Sequence, residues 1–502
     1  MLRQPELPRE EESRPEPEEP LQIEQRDDGT VQLEGQELFL LLGIRFSESV
    51  FLSPEQLAEF SAPYVNRMIN LSQLASLVEQ INQYYEQQGL MTARAVIPPQ
   101  RIRDGIVDIQ LIEGRLGTVE LRGHDFTRDD YLTNRLPLSK GEVLDLRQLR
   151  EQLDWFNRTG ELRARAALRP GAQFGESDVV FIIDEPLQQR VQLFANNHGV
   201  ESTGRYQAGL YWMYYGLLGR DDRASVYGTV AQGSYNLRTD YSVVVDERGG
   251  RLGVALFLGR IRLIDGPFKE LNVTGGSQGW QLQYEYPWKR SSELRLDGIA
   301  RIGQLNSFSE IDGVTVSDTD IQRFTASLRG RYTGKAMWGF EQNVSAASSE
   351  IAQGLSQNYL TYPGSLTYLL RSNTLYWVSA LGWQYTRENS LPSADLFQLG
   401  GMGSVRGYPN GVVSGPRGYY ANFELHWPVT PKYSGLVFFD GGSVYGESPA
   451  RESVTGFGLG LNAVLDNRWR AEAVLARPTR QVTPDQDKYR IDVQLVYDFP
   501  GH

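Results

Sequence analysis

The residues best suited to a specific polar contact lie in two segments of the C-terminal part of the chain. The segment GGMGSVRGY runs from Gly400 to Tyr408 and carries Arg406 among four glycines. The segment VFFDGGSVY places Asp440 on an otherwise apolar strand. A planar guanidinium binds a carboxylate bidentately, and neither charge is tolerated alone in a buried place. We therefore predict that a glycine-rich hairpin loop folds back so that Arg406 pairs with Asp440.

Two catalytic signatures occur, and both lack a required part. Gly275–Gly279 (GGSQG) fits G-x-S-x-G, but a nucleophile elbow needs a helix after it, whereas the strand-like WQLQYEY follows Ser277. Gly330–Lys335 (GRYTGK) lacks one spacer of a phosphate loop and has Ala336 where Ser or Thr must reach Mg²⁺. The four histidines are scattered, and no H-E-x-x-H motif is present. The sequence therefore predicts no enzyme, no metal site, no nucleotide use and no cofactor.

Composition narrows the class further. The chain has 502 residues, no cysteine and a net charge of -12. A negative chain without a basic stripe argues against a nucleic-acid partner. No run approaches the roughly 18 consecutive apolar residues of a membrane helix, but strands of alternating polarity can cross a membrane at low overall hydropathy. The N-terminus has no basic region followed by an apolar one, so we expect no signal peptide in this sequence.

The first 20 residues contain seven Glu, five Pro and three Arg. A segment of this composition cannot bury enough apolar surface to offset the entropy of ordering it. We expect residues 1–35 to form a flexible N-terminal segment.

Helix and strand signals alternate in the next part of the chain. Ser53 and Gln56 flank Pro54 as a capping box flanks the first helical turn. Apolar residues from Leu71 to Tyr85 recur at helical spacing, and strand-like runs follow at 92–98 and 106–114. The predicted order of elements is β-α-α-β-β.

The same order recurs directly afterwards. We predict that Thr127 caps a helix through Leu136 and that a second amphipathic helix spans Leu146 to Phe156. The letters repeat too, because GLMTARA (Gly89–Ala95) matches GELRARA (Gly160–Ala166) at an offset of 71. Two tandem domains, each with a small sheet covered by two helices, are the natural interpretation.

After Pro186 the helical pattern gives way to strict alternation. Runs such as Glu293–Ile302 and Ile491–Phe499 carry aliphatic residues on one face and charged residues on the other. These runs of 9 to 12 residues are longer than typical soluble strands and fit a membrane-spanning strand. At about 20 residues per strand with its connections, the remaining 316 residues give about 16 strands. The sequence predicts an all-β transmembrane barrel of about 16 antiparallel strands.

The polar faces of these strands must point into the barrel. A charge on the lipid side costs about 2–4 kcal/mol at mid-membrane. The predicted lumen-lining residues are Arg295, Asp297, Arg301, Glu472, Asp492 and Asp498.

These features together resemble the TpsB transporters of two-partner secretion, members of the BamA-like superfamily that include the filamentous-haemagglutinin and haemolysin transporters. The specific motifs are V-R-G-Y at Val405–Tyr408 and F-D-G-G at Phe439–Gly442. The stretch Gln83–Gly114 is similar to the POTRA domains of that family. The resemblance covers about residues 36–499.

The resemblance implies α+β POTRA domains at 36–114 and 115–186 in the periplasm of a Gram-negative bacterium. It further implies an outer-membrane barrel over 187–502, with an inward-folding loop at about 388–417. In the family this loop enters the lumen and touches the barrel wall. The implied loop-tip residues are Val405, Arg406, Gly407 and Tyr408, and the implied wall residues are Phe439, Asp440 and Gly442.

The implied function is secretion of a large TpsA-type exoprotein (an adhesin, a haemolysin or a contact-dependent toxin) without nucleotide. The POTRA domains would recognise the unfolded cargo by strand addition, in which backbone hydrogen bonds supply affinity. The implied partners are this exoprotein, outer-membrane lipid and, during biogenesis, the barrel assembly machinery. We expect no nucleic-acid partner and a monomer.

Two features depart from the family pattern. Family barrels usually end on an aromatic residue, whereas Pro500, Gly501 and His502 follow Phe499 here. Residues 1–20 are too rich in proline to form the N-terminal plug helix that some members carry. The alternatives are a BamA-like insertase, against which two POTRA repeats rather than five argue, and an outer-membrane lipase using Ser277.

Overall fold

The computed structural model describes residues 21–23 and 37–500, apart from twelve internal positions. These positions are Gly89, Met91, Arg103, Phe174, 352–354, Asn373, 448–449, Asn467 and Asp485. Most of the predicted flexible segment 1–35 lies outside the described residues. Within them, no helix is both long and apolar enough to cross a membrane.

The described elements are four α-helices, three single-turn 3₁₀-helices, a set of short strands, and a long series of strands that starts at residue 189. The helices are α1 (Pro54–Ser61), α2 (Leu71–Gln87), α3 (Asp129–Arg135) and α4 (Leu146–Thr159). The strands before residue 186 are β1 (Leu21–Ile23), β2 (Phe39–Leu41), β3 (Gly43–Phe46), β4 (Arg67–Ile69), β5 (Ala93–Val96), β6 (Ile106–Glu113), β7 (Arg115–Arg122), β8 (Arg163–Pro170) and β9 (Glu176–Asp184).

The later strands are β10 (Gln189–Asn196), β11 (Gln207–Tyr215), β12 (Arg223–Ala231), β13 (Ser234–Val244), β14 (Arg251–Arg262), β15 (Val273–Arg290), β16 (Leu294–Ile311), β17 (Val314–Thr333), β18 (Ala336–Ile351), β19 (Leu355–Arg371), β20 (Tyr376–Thr386), β21 (Phe397–Leu399), β22 (Val413–Gly415), β23 (Arg417–Thr430), β24 (Tyr433–Tyr445), β25 (Arg451–Leu465), β26 (Trp469–Pro478) and β27 (Arg490–Asp498). The chain divides into two compact units between Glu185 and Pro186.

The first α+β layer of the N-terminal unit is a sheet of order β3-β6-β5 with α1 and α2 beside it. Both helices begin with a complete capping box, at Ser53 with Gln56 and at Asn70 with Gln73. Leu74, Leu77 and Ile81 of α2 are fully buried in the core that this layer encloses, as their helical spacing predicts.

The second layer is a sheet of order β1-β8-β9-β7 with α3 and α4. The predicted cap at Thr127 is wrong, because α3 begins after Arg128, whose side chain makes no capping bond. The Glu185 carboxylate explains the difference. It accepts hydrogen bonds from the backbone N–H groups of Asp125 (2.8 Å) and Thr127 (2.7 Å) and so fixes the turn before the helix.

Strand β1 was not predicted. It pairs in parallel with β8, from Leu21↔Ala166 to Ile23↔Leu168, and so forms an edge of the second sheet. The expectation of a flexible segment over residues 1–35 therefore fails for these three residues. No alternation or turn signal marks LQI as a strand, because a three-residue edge strand is held by backbone bonds that depend little on side-chain type.

Sixteen strands close into an antiparallel barrel of order β10 to β20 and then β23 to β27. The predicted fold class, a barrel of about 16 antiparallel strands after an α+β region, is confirmed. The strands are 8 residues long at β10 and 20 at β17, a wider range than predicted. Closure joins the first strand to the last, with pairing that covers only Gln192–Asn196 against Gln494–Asp498.

The barrel strands alternate as their sequences predict. In β16, Asp297 and Arg301 are buried while Ile302 is exposed, and in β27 Asp492 is buried while Ile491 is exposed. These charged side chains therefore point into the lumen, and Ile302 and Ile491 point away from it. Ser277 lies inside β15, which continues to Arg290, so it does not stand at a strand-to-helix turn.

Candidate functional site

The candidate site is built around the loop between β20 and β23. This loop contains a short hairpin, in which β21 and β22 pair from Phe397↔Gly415 to Leu399↔Val413. The connection between these two strands is the glycine-rich tip that the sequence singled out. The hairpin thus carries the tip as a unit rather than as an unsupported chain.

The hairpin is held at its base by the inner barrel wall. The Asp395 carboxylate contacts the guanidinium of Arg323 on β17 and accepts a hydrogen bond from the Tyr359 hydroxyl on β19. The Gln384 amide donates to the carbonyl oxygens of Asp395 (2.8 Å) and Pro416 (3.1 Å). These bonds fix where the loop turns inward.

Arg406 at the tip contacts Asp440 on β24 through three hydrogen bonds. Its Nε donates to Oδ2 at 2.7 Å, its Nη2 donates to Oδ1 at 2.8 Å, and its backbone N–H donates to Oδ2 at 3.0 Å. Arg406 is 5% exposed and Asp440 is 0% exposed. The pair is therefore bidentate, charge-assisted and removed from water, the geometry in which each charge depends on the other.

Two further wall residues complete the environment of Arg406. Its Nη1 lies 2.6 Å from Glu424 Oε1 on β23, and its Cζ lies 3.7 Å from the ring centroid of Phe438 on β24. Glu424 also contacts the Nε2 of His426 at 2.7 Å. One cation thus meets two carboxylates and an aromatic face, a combination that holds it by charge from several directions.

Sequence reasoning did not identify Glu424, His426 or Phe438. The signal was present in the alternation of ANFELHW, which puts Asn422, Glu424 and His426 on one face of β23. β23 pairs with β24, the strand that bears Asp440. Once this register is known, the polar face of β23 identifies Glu424 and His426 as neighbours of Asp440.

The apolar residues of the tip form a second contact with the wall. Val405 and Tyr408 are fully buried and pack with Leu399, Val444 and Val454. The Tyr408 hydroxyl donates a hydrogen bond to the Thr455 carbonyl oxygen at 3.0 Å. The motif therefore binds the wall through an ion pair and a small apolar cluster together.

Glycine is required at two positions of this contact. Gly407 has a φ of 92°, and a Cβ there would meet the backbone of Pro478 and Arg477 at 3.0 and 3.2 Å. A Cβ at Gly442 would lie 2.9 Å from the side chain of Leu399. The hairpin and the wall can therefore approach closely because each contributes a glycine at the contact.

Phe439 does not join the other predicted site residues. Its side chain is 51% exposed and lies on the outer face of β24, because neighbouring residues of a strand point to opposite sides. Phe438 takes the inner position instead. The structure brings the remaining predicted residues, Val405 to Tyr408 with Asp440 and Gly442, into one cluster in the lumen.

Arg406, Tyr408 and Asp440 form a non-covalent clamp between the hairpin tip and the wall. Separating the ion pair would leave an uncompensated buried charge on each side, which costs about 3–5 kcal/mol unless water or another group enters. Among the described residues, no group of three or more His, Cys, Asp or Glu side chains is placed to hold a metal ion.

Comparison with known proteins identifies the family to which the chain is similar. Residues 175–463 match the family model described as haemolysin secretion/activation protein ShlB/FhaC/HecB, and residues 39–114 match the ShlB-type POTRA domain. The chain is 24% identical to the outer membrane transporter CdiB of Dickeya dadantii, over 87% of this chain and 82% of that one.

Two other proteins extend the similarity. The chain is 23% identical to the heme/hemopexin transporter protein HuxB of Haemophilus influenzae, over 89% of this chain and 84% of that one. The solved structure of CdiB from Escherichia coli shares the fold, with a TM-score of 0.64 and 19% identity over 94% of this chain and 92% of that one.

The family match covers more than half of the chain and includes the segments that carry the clamp. The POTRA match precedes the barrel in the chain, as in that family. The chain therefore belongs to the ShlB/FhaC/HecB family and is a two-partner secretion transporter, an outer-membrane barrel that secretes an exoprotein and whose POTRA region lies in the periplasm.

Proposed function

We propose that this transporter moves one large TpsA-type exoprotein (an adhesin, a haemolysin or a contact-dependent toxin) in unfolded form through the barrel lumen. Residues 36–114 and 115–186 act as two POTRA domains that receive the cargo, and loop 388–417 controls passage. The protein works as a monomer, without nucleotide, cofactor or catalytic step. The single observation that carries the proposal is the buried clamp between Arg406 and Asp440 in the lumen.

Cargo recognition by strand addition is supported by the sheet edges of the N-terminal unit. On one edge strand of the first described sheet, β5, the backbone of Ala95 is already bonded to the Asn82 side chain. The other edge strand of that sheet is β3, which has β6 as its neighbour. The other side of such a strand can offer N–H and C=O groups to an extended chain, so affinity does not depend on a folded epitope.

Two domains rather than one are supported by the repetition of the layers. Each layer has a small sheet with two helices, and the second one spans β7 to β9 with α3 and α4. We assign the second layer as a POTRA domain on this repetition, with its boundary to the first at residue 114.

Passage through the lumen requires the hairpin tip to move. The tip binds the inner wall through the Arg406 clamp and the Tyr408 hydroxyl, and neither contact is covalent. Cargo that offers its own backbone and polar groups can replace these bonds one at a time. The clamp therefore holds a defined resting state that cargo can displace.

The test is secretion of a candidate TpsA-type exoprotein, produced in cells with and without this chain. We expect release into the medium only when the chain is present. Arg406→Ala and Asp440→Ala should each lower release while barrel assembly persists, as judged by the mobility shift on unheated gels. Arg238→Ala is the matched control, because that arginine pairs with Asp240 of its own strand at 2.6 Å and lies outside loop 388–417.

Three results would contradict the proposal. Full secretion by both clamp variants would show that the pair does not serve transport. Failure of other barrels to assemble on depletion, with the partner left in the periplasm, would indicate an insertase instead. Labelling of the purified chain by a serine-reactive probe would contradict the absence of catalysis.

A further inference from the structure

The outward face of the barrel contains a recess across β15 to β20 that the secretion function does not use. Its volume is about 910 Å³, within the range of about 300–1,000 Å³ that is typical of small-molecule sites. Most of its lining residues, including Phe324, Ala346 and Leu360, have side chains on the lipid side of the strands, whereas the interleaved Arg323, Ala347 and Tyr359 face the lumen. A site here would therefore face the membrane and not the translocation path.

The recess is built from two neighbouring rows of side chains that run straight across four strands. The inner row is Ile302, Phe324, Ala346 and Leu360, and the row one step nearer the outer rim is Gln304, Gln322, Ser348 and Asn358. In each strand the change from an apolar or small side chain to a polar one thus occurs at the same height.

The shape of the recess follows from a difference in side-chain size. Ala346 of β18 pairs with Phe324 on one side and with Leu360 on the other. Both larger side chains are about half exposed, and the methyl group of Ala346 forms a low floor between them. An apolar chain laid along Ala346 would thus be flanked by Phe324 and Leu360.

The height of the recess matches the outer boundary of the membrane. Near the periplasmic ends of β18 and β19, the rings of Trp338 and Tyr368 pack at 4.4 Å between centroids, as aromatic girdles do. Ala346 follows Trp338 by eight residues, and a strand of that length tilted by about 40° rises about 20 Å. The apolar band of such barrels is about 25 Å tall, so the polar row lies at the level of lipid headgroups.

A positive charge stands at the end of these rows. The last register pair between β19 and β20 is Thr361↔Thr386, which places the exposed Arg387 beside Leu360 at the rim. Glu388 also lines the recess. The carboxylate of Asp320 is already engaged, because it accepts two hydrogen bonds from the Gln304 amide, at 2.9 and 2.8 Å.

We propose that this recess binds one outer-leaflet glycolipid of the lipid A type, an acylated disaccharide that carries phosphate. One acyl chain lies on Ala346 between Phe324 and Leu360. The amide and hydroxyl groups of the polar row bind sugar and ester oxygens, and Arg387 binds a phosphate. The apolar row matches the acyl chain, the polar row matches the sugar, and the cation matches the phosphate. Because an ordinary phospholipid has no sugar for the polar row to bind, this match favours the glycolipid.

The experiment measures lipid retention by the full chain in detergent after delipidation, with native mass spectrometry as the readout. The probes are diphosphorylated lipid A and phosphatidylglycerol. We expect lipid A to be retained in preference to phosphatidylglycerol. Arg387→Gln should weaken lipid A binding about tenfold, and Ala346→Leu should remove it by filling the floor.

Two matched controls separate this site from general contact with lipid. Arg262→Gln removes an exposed arginine from the end of β14, and Ala473→Leu enlarges an exposed alanine of β26, both away from the recess. Lipid A binding should be unchanged in both. Folding of every variant is verified by the mobility shift on unheated gels, and if Ala346→Leu does not fold, Arg387→Gln decides alone.

Equal retention of both lipids by the wild-type chain would overturn the proposal. So would unchanged lipid A binding in Arg387→Gln, or an equal loss in the Arg262→Gln control.

Discussion

The N-terminal unit and the barrel use the same residue types with inside and outside exchanged. Leu77 and Ile81 of α2 are fully buried, whereas Leu459 of β25 is 57% exposed. Conversely, the barrel encloses Asp440 and Asp492, while Asp129 of α3 is exposed. Which residue type is buried depends on the surroundings of each region, because water surrounds the N-terminal unit and hydrocarbon surrounds the barrel.

This difference changes what holds each region together. The first layer of the N-terminal unit depends on an apolar core, whose removal from water supplies the free energy of folding. The barrel depends on hydrogen-bonded strands around a polar interior, where charges must be paired. Arg490, for example, lies between Asp492 and Glu201.

The largest effect that would test this comparison is the loss of a charge partner in the lumen. Asp440→Ala leaves Arg406 paired with Glu424 but removes three hydrogen bonds to a buried carboxylate. Because a hydrogen bond to a charged group is worth about 1.5–3 kcal/mol, we expect a cost of at least about 3 kcal/mol where water stays excluded. Limited proteolysis of loop 388–417 measures it, because a released tip becomes cleavable. Asp440→Asn keeps the side-chain shape and removes only its negative charge. A loop that stays protected from protease in both variants would contradict the clamp.

The next effect concerns the apolar core of the first layer. Ile81→Ala opens a cavity in that core, and we expect about 2–5 kcal/mol of destabilisation. Hydrogen exchange of α2, followed by mass spectrometry on the full chain, reports it without involving the barrel. Ser76→Ala on the exposed side of the same helix should change exchange little, and equal effects of the two would refute a core-based stability.

A third prediction sets the two environments directly against each other. Leu459→Arg puts a charge on the outer face of β25, where we expect a cost of about 2–4 kcal/mol if the site is at mid-membrane. Met68→Arg makes a similar change at an exposed position of β4, where water surrounds the side chain and the cost should lie within about 0.5 kcal/mol. Urea midpoints of the barrel and hydrogen exchange of β4 give the two values, and similar costs would break the comparison.

The smallest predicted effect depends on pH. Burial raises the pKa of Tyr85, and the neighbouring Glu113 carboxylate acts in the same direction. A raised pKa means that the neutral phenol is favoured on folding, so its contribution is complete below the unfolded value of about 10 and is lost as pH rises above it. Tyr85→Phe also removes a hydrogen bond to Glu113 of 3.3 Å, worth about 0.5–1.5 kcal/mol.

Hydrogen exchange of α2 between pH 8 and 11, corrected for intrinsic rates, measures this slope. The wild-type chain should lose protection at the alkaline end, and Tyr85→Phe should lose less. A steeper loss in the variant would have the wrong sign for a buried neutral phenol.

Much of the fold was predictable because its signals are periodic. The alternation of Asp297, Arg301 and Ile302 fixed which side of β16 faces the lumen, and the capping box at Ser53 fixed the start of α1. The predictions that failed concern features without a periodic sequence signal. β1 is an edge strand set by backbone pairing, and Thr127 lost its expected role to Glu185, which is distant in sequence.

The candidate site was predictable only in part. Charge and glycine content led to Arg406 and Asp440, and the structure places them in contact, although their role in secretion stays a prediction. Phe439 was assigned by motif, but strand alternation turns it outward and brings Phe438 to the guanidinium. Glu424 required the register of β23 against β24, which a single sequence does not print.

The closure of the barrel has a mechanical consequence. β10 and β27 pair only from Gln192↔Asp498 to Asn196↔Gln494, whereas β16 and β17 pair from Leu294↔Tyr332 to Ile311↔Val314. Local opening is easiest where the fewest backbone bonds must break together. A circumferential tension in the wall, such as a bulky chain in the lumen produces, would therefore concentrate at this joint and leave the tall side of the barrel undeformed.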